Sequence, residues 1–257
     1  RDKNTAIHSK KQQKVSHKLN TSNEFIKFNS RITFRTETYN QIFNIENKLI
    51  ENNQYHTGSM YRFFPIVGLD ILSPFKLKNN KHNLVFTPKS HFVLSPGISN
   101  SNKISNEDSS NNNLSLNNID SLNRYSGSDK VDNSKRISYG FTINNEVVKF
   151  DLFQLYEFTN NSNFHSEQGN DDHLSDLLGS IEYFKTNEIT YNFRYDVNDE
   201  YLKKQHVNLK SNLPYGTINL SYLDENSKIN NIVSKDTETI NYSFLSKKIS
   251  KFSKINF

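Results

Sequence analysis

The chain has 257 residues, room for one or two domains; 33% are hydrophobic, 23% are charged and the mean hydropathy is −0.78, a balance that alone suggests a loose polar chain. No run of about 18 apolar residues exists, which excludes a transmembrane helix, and the absence of cysteine excludes a disulfide frame, a thiolate metal site and a cysteine nucleophile. The net charge of +5 permits anionic partners, while 19 Phe and 13 Tyr are too many for a disordered chain and must be buried or face an apolar phase.

The sequence starts at Arg1 with no signal-peptide pattern behind it, so it reads as a piece of a longer chain. Residues 1–23 are basic and nearly patternless. The first clear period of two comes next, with Ile32 and Phe34 alternating with Arg31, Thr33, Arg35 and Glu37. Residues 99–118 are rich in Asn and Ser; bracketed by strands, they read as a surface loop rather than a linker. In 136–144, Ile137, Tyr139, Phe141 and Ile143 alternate with Arg136, Ser138, Gly140, Thr142 and Asn144. Val148, Phe150, Leu152, Tyr156 and Phe158 continue the rhythm, although Phe153 and Leu155 blur the polar side. Ile189, Tyr191, Phe193, Tyr195 and Val197 alternate with Thr190, Asn192, Arg194, Asp196 and Asn198. Ile218, Leu220 and Tyr222 give a shorter version, as do Ile240, Tyr242 and Phe244. The final residues 249–257 alternate poorly, so their terminal Phe257 reads as an accidental end within the pattern.

Alternate side chains of a strand point to opposite faces. Each segment therefore has one apolar and one strongly polar face. Several run about nine to eleven residues, the span of a tilted strand crossing a bilayer, whereas soluble strands are more often about five or six. Long links (94–136, 158–174 and 223–237) and short ones (143–148, 184–189, 213–217 and 245–249) alternate, with 197–205 intermediate. Outer-membrane barrels have that asymmetry, long loops outside and short periplasmic turns. The fold class expected is all-β, an antiparallel transmembrane barrel of outer-membrane type with a wet lumen. With no Trp, Tyr must supply the interfacial girdles.

Few residues suggest chemistry. Asp171, Asp172, His173 and His165 could hold a metal, but no ligand spacing matches and a solvated acidic loop explains them better. Glu107, Asp108 and Ser109, with Asp120, Asp129 and Asp132, could bind calcium; a hydrogen-bonded loop tied by Arg124, Lys130 and Arg136 is the simpler reading. No nucleophile elbow marks a barrel lipase. Lys149, Arg194, Lys210, Arg31 and Arg35 either meet lipid phosphates or pair with Asp151, Asp196 and Glu37. The spread of basic residues over alternating positions speaks against nucleic acid. No cofactor and no enzyme activity are expected.

One region resembles a known family. Asn106-Glu107-Asp108-Ser109, then Asn123-Arg124-Tyr125-Ser126-Gly127-Ser128-Asp129-Lys130-Val131-Asp132, then Arg136-Ile137-Ser138-Tyr139-Gly140 is similar to the barrel signature of the LPS-assembly protein LptD, the organic solvent tolerance (OstA) family. Upstream, residues 62–70 with Pro74-Phe75 and residues 91–96 are similar to the family's preceding strands; downstream, Ser175-Asp176 and 192–196 are the best points. Lys130 and Asp132 stand where the family usually has Arg and Glu, which keeps charge but changes reach. The resemblance implies a partial barrel over 1–257, with the family's N-terminal jellyroll and closing strands absent, and a long extracellular or lumen-directed loop over 99–134. It implies insertion of lipopolysaccharide into the outer leaflet of a Gram-negative outer membrane. The implied partners are lipopolysaccharide, outer-membrane lipids, an LptE-like plug lipoprotein and, through the jellyroll, an LptA-like periplasmic bridge. The motif residues Asn106, Glu107, Asp108, Ser109, Asn123, Arg124, Ser126, Gly127, Asp129, Arg136, Tyr139 and Gly140 become the candidate site, with Arg124, Asp129 and Arg136 expected to pin the loop. Another outer-membrane barrel (a porin or importer) and a soluble periplasmic jellyroll lipid bridge are the alternatives.

Overall fold

The computed structural model describes residues 6–23, 26–50, 54–79, 82–98, 100–104, 106, 108–110, 113–159, 170–171, 173–185, 187–229 and 232–246. These form fourteen strands and no helix. In chain order they are β1 (Ala6–Asn23), β2 (Ile26–Ile50), β3 (Gln54–Leu72), β4 (Phe75–Asn79), β5 (His82–Leu94), β6 (Lys135–Asn144), β7 (Val148–Glu157), β8 (Asn170–Asp171), β9 (Leu174–Ser175), β10 (Leu177–Phe184), β11 (Asn187–Asp196), β12 (Tyr201–Leu213), β13 (Gly216–Ile229) and β14 (Ile232–Ser246). All pair antiparallel in one sheet, ordered β1-β2-β3-β5-β6-β7-β10-β11-β12-β13-β14, with β4, β8 and β9 as short side pieces.

The period-two segments become strands because only in that conformation do their apolar residues share a face. Ile143, Phe150, Ile181 and Tyr191 stand opposite one another across β6, β7, β10 and β11 on the outward, lipid-facing side, with the Phe141–Leu152 pair beside them. Tyr61, Phe63 and Val67 of β3 and Ile240 and Tyr242 of β14 are among the exposed large hydrophobics. Exposure of such rings on a continuous face suits a wall bathed in lipid. The opposite face carries Arg35, Arg62, Asp70, His91, Arg136, Asp151 and Arg194, all on alternate positions.

Several links differ from expectation. The patternless 6–23 region forms β1, its backbone paired along its whole length with β2. The expected long link over 223–237 is mostly strand: β13 and β14 stay paired from Gly216↔Ser246 to Ile229↔Ile232. The intermediate link after Val197 is a four-residue turn over 197–200, with Glu200 at φ 53°. The terminal stretch 249–257 and most of the 245–249 link lie outside the described residues.

Candidate functional site: a loop latched to the inner wall

The chain between β5 and β6 folds back onto the inner face. Two apolar seats hold it. Leu122 and Val131 of the loop pack with Tyr39, Phe64, Ile66 and Val93 of β2, β3 and β5. Leu114 and Ile119 pack with Phe153, Leu155 and Leu178 of β7 and β10. Phe153 and Leu155 blurred the polar side of β7 because they are the floor of this second seat. Gly68 makes room for the first: a Cβ there would collide with the Leu122 side chain. Gly140 likewise leaves space for the Phe153 ring.

Between the seats lies a charge-balanced buried quartet. Arg124 grips Asp132 with two bonds, Nε to Oδ2 at 2.6 Å and Nη2 to Oδ1 at 3.2 Å, and donates to Glu157 at 3.1 Å. Arg136 donates to the same Asp132 Oδ2 at 2.8 Å and to the Ser134 hydroxyl and the carbonyls of Ser121 and Leu122. All four side chains are at most 2% exposed. In so dry a place two cations need two anions, and shared hydrogen bonds offset part of the desolvation cost. Burial works against the Arg124 charge, but Asp132 and then Glu157 outweigh it and raise its pKa. Burial, reinforced by Asp132, pushes the Tyr125 phenol up to about 12.

Strand side chains hold further loop carbonyls. Arg62 donates to the carbonyls of Asp129 (2.6 Å) and Ser128, and Gln41 to that of Ser128 (3.0 Å). Arg35 bridges Asp70 and the Asp120 carbonyl, both at 2.6 Å, while His91 Nδ1 lies 3.0 Å from Asp70. Asn123 donates to the Tyr39 hydroxyl at 2.8 Å.

The loop also closes on itself. The Asp108 carboxylate accepts the N–H groups of Ser128 (3.0 Å) and Asp129 (2.8 Å) and the hydroxyls of Ser128 and Ser109. Partial burial raises the Asp108 pKa, but these donors together outweigh it and hold the carboxyl well below the usual range. Gly127, at φ +82°, lets this turn pass against the Asp108 backbone. Among the described residues no group of His and carboxylates is arranged to hold a metal.

Family comparison gives this geometry its name. The family model for LPS transport system D matches residues 5–250, nearly the whole chain and both seats of the loop. The chain belongs to the LptD family. It is thus an outer-membrane protein of the Gram-negative cell and a component of lipopolysaccharide transport, in a family of transport components rather than enzymes. No curated protein matches it. Among solved structures, outer membrane phospholipase A from Escherichia coli is similar over 91% of this chain and 76% of its own, at 8% identity and a TM-score of 0.35, too slight a likeness to carry an inference.

The LptD signature residues fall into three groups. Arg124 and Arg136 meet, through Asp132 and Glu157. Asp129 serves a different closure, accepting the Asp108 N–H at 3.0 Å. Asn106 accepts the Ser109 N–H, Ser109 Oγ the Lys130 N–H, and Asn123 those of Tyr125 and Asp132. The Ser126 hydroxyl pairs with that of Ser110. Tyr139 instead faces outward, donating to Gln154. Glu107, Asp172 and His165 lie outside the described residues; His173 faces the Glu157 carbonyl at 2.6 Å. Of the polar-face cations, Lys149 pairs with Asp151 and Glu182, Lys210 with Glu188, Arg35 with Asp70 rather than Glu37, and Arg194 with Asp176. Asp196 pairs with Lys203, the extra residue of a bulge in β12. Sequence reasoning missed Tyr39, Gln41, Glu157 and Gly68. Only their inward parity on strands marks them, and parity cannot say which inward residue lies under a loop.

Proposed function

We propose that this chain forms part of the barrel wall through which lipopolysaccharide is inserted into the outer leaflet. Its loop 99–134 is a fixed inner brace of that wall. The observation that carries the reading is the pairing of a lipid-facing apolar surface with an inner face on which a charge-balanced quartet latches a long loop. A wall of that kind keeps hydrocarbon outside and a wide polar lumen inside. In this reading an LptE-like lipoprotein occupies the lumen, and an LptA-like bridge delivers the lipid through a periplasmic jellyroll. Arg124, Asp132, Arg136 and Glu157 act by positioning the loop and perform no chemistry on the lipid.

Depletion of the protein in its own cell tests this. Surface-accessible lipopolysaccharide should fall while new lipopolysaccharide accumulates inside. Normal surface lipopolysaccharide with defective solute uptake would replace the translocon by an importer.

A further inference from the structure

The apolar belt of the outward face is not equally tall on every strand. On β3 the outward residues Tyr61, Phe63, Pro65, Val67, Leu69 and Ile71 follow one another without a polar interruption. At about 3.4 Å per residue this run measures about 34 Å along the strand, or about 26 Å of height at a tilt of about 40°. That is close to the band of about 25 Å of outer-membrane barrels. On β12 the outward side is Gln205, Val207, Leu209 and Ser211, with Val207 opposite Tyr191 and Leu209 opposite Ile189. Two apolar side chains thus stand between two polar ones, and only Leu213 follows at the short turn. From Gln205 to Ser211 the strand runs about 20 Å, or about 16 Å of height at the same tilt.

Both limits continue on a neighbouring strand. At the long-loop end Gln205 Nε2 donates to Asp224 Oδ2 at 2.7 Å, and Asn226 Nδ2 donates to Asp224 Oδ1 at 2.9 Å. Asp224 stands directly opposite Glu238, and the Tyr222 hydroxyl, one outward step below, hydrogen-bonds Glu238. At the short-turn end Ser211 Oγ donates to Asn187 Oδ1 at 2.8 Å. Two carboxylates set opposite each other repel, and neither tolerates hydrocarbon as its solvent. The Gln205–Asp224–Glu238 row therefore meets water or headgroups. Strand tilt would slide an apolar window along β12 and keep its length; here the window is cut at both ends.

We propose that the outer membrane is locally thinned around β12, with lipid headgroups seated on both polar limits. On the outer side they descend to the Gln205–Asp224–Glu238 row, and on the periplasmic side they rise to the Asn187–Ser211 pair. The partner of this face is a bilayer and not a protein, because its apolar rows continue the lipid-facing belt without a break: Ile181 is opposite Tyr191, and Tyr191 opposite Val207. A bilayer shortens to match a short belt. Carboxylates only accept hydrogen bonds, so the headgroups that meet the upper row bring hydroxyls, ammonium groups or bound cations. The inference depends on the outer-membrane location of the family and not on the path of lipopolysaccharide.

Depth-dependent quenching tests this in the complete protein, reconstituted in phosphatidylcholine vesicles. A fluorescent residue is placed at Gln205 or Ser211, or at Phe63 or Leu69 of β3, a pair with the same separation along its strand. The vesicles carry a nitroxide quencher either on the headgroup or at mid acyl chain. The ratio of headgroup to mid-chain quenching should be several-fold higher at both Gln205 and Ser211 than at Phe63 and Leu69. A high ratio at one end of β12 alone would mean a shifted belt of full height and would overturn the proposal. Quenching at neither end by either lipid would mean that a protein covers the face, which overturns it too. Asp224→Leu with Glu238→Leu lengthens the apolar run by one row. With the probe at Tyr222, this double variant should lower the ratio at least twofold at unchanged heat-modifiable mobility; an unchanged ratio in the assembled barrel refutes the role of the carboxylate row.

Discussion

Asp132 has the most exacting position of any residue in the loop. It holds both guanidiniums of the quartet and is completely buried. Asp132→Asn removes one negative charge from a dry, balanced cluster, and such a loss costs about 3–5 kcal/mol. Loop 99–134 should become sensitive to external protease and the barrel should unfold earlier on heating. Replacing all four members by apolar residues should recover much of the loss, because no charge is then left unpaired; a quartet variant as unstable as Asp132→Asn would refute that account. Gly127→Ala forces a side chain into a left-handed backbone at about 1–2 kcal/mol and against the Asp108 backbone, so it should open the same turn. Asp108 gives that turn a pH dependence. Its pKa is lower in the folded loop than in the free chain, so its contribution is present above about pH 3.9 and is lost as pH falls below it. Protection of the amides in 127–130, relative to their intrinsic exchange rate at each pH, should fall on acidification, and Asp108→Asn should be poorly protected already at neutral pH. A wild-type profile flat to low pH would contradict the assignment.

At the scale of elements, the loop and its strands are complementary surfaces rather than a lid over a floor. Leu122 fits the gap left by Gly68, and Ile119 and Leu114 rest on Leu155 and Phe153. Gly68→Val should therefore displace the loop although Val favours strands, and Leu122→Ala should cost about 2–5 kcal/mol. Both are measured by protease protection of 99–134, and strand content by circular dichroism should stay constant. The same contacts explain what was readable. The motif lies between β5 and β6, and the Asn- and Ser-rich part of that connection hid Leu114 and Ile119 as pegs, since two apolar residues among amides make no periodic signal. Arg124 and Arg136 stood out by charge. Their acceptor Glu157 did not, because it closes β7 with the alternation of any polar-face residue. Strand 6–23 escaped detection because pairing with β2 supplies its hydrogen bonds without an apolar run.

For the whole molecule, the two faces obey different solvents. Ile181, outward on β10, is exposed, whereas Thr190 lies on the inner rows. Ile181→Arg should destabilise the barrel in bilayers by up to about 2–4 kcal/mol, the range for a cation on a barrel's lipid face near the midplane. Thr190→Lys should leave unfolding in the same vesicles nearly unchanged. Equal effects would mean that the faces are assigned wrongly. The sequence by itself determined the period of two, the apolar and polar faces, the outer-membrane class and the signature that places the chain in the LptD family. Side-chain alternation is a local consequence of strand geometry, and lipid on one face records it in every segment. Only the tertiary structure decided that the loop lies on β2 to β10 and that Asp132 and Glu157 neutralise Arg124 and Arg136. Those facts join residues far apart in the chain, where charge and volume must balance in three dimensions and no local pattern records the partner.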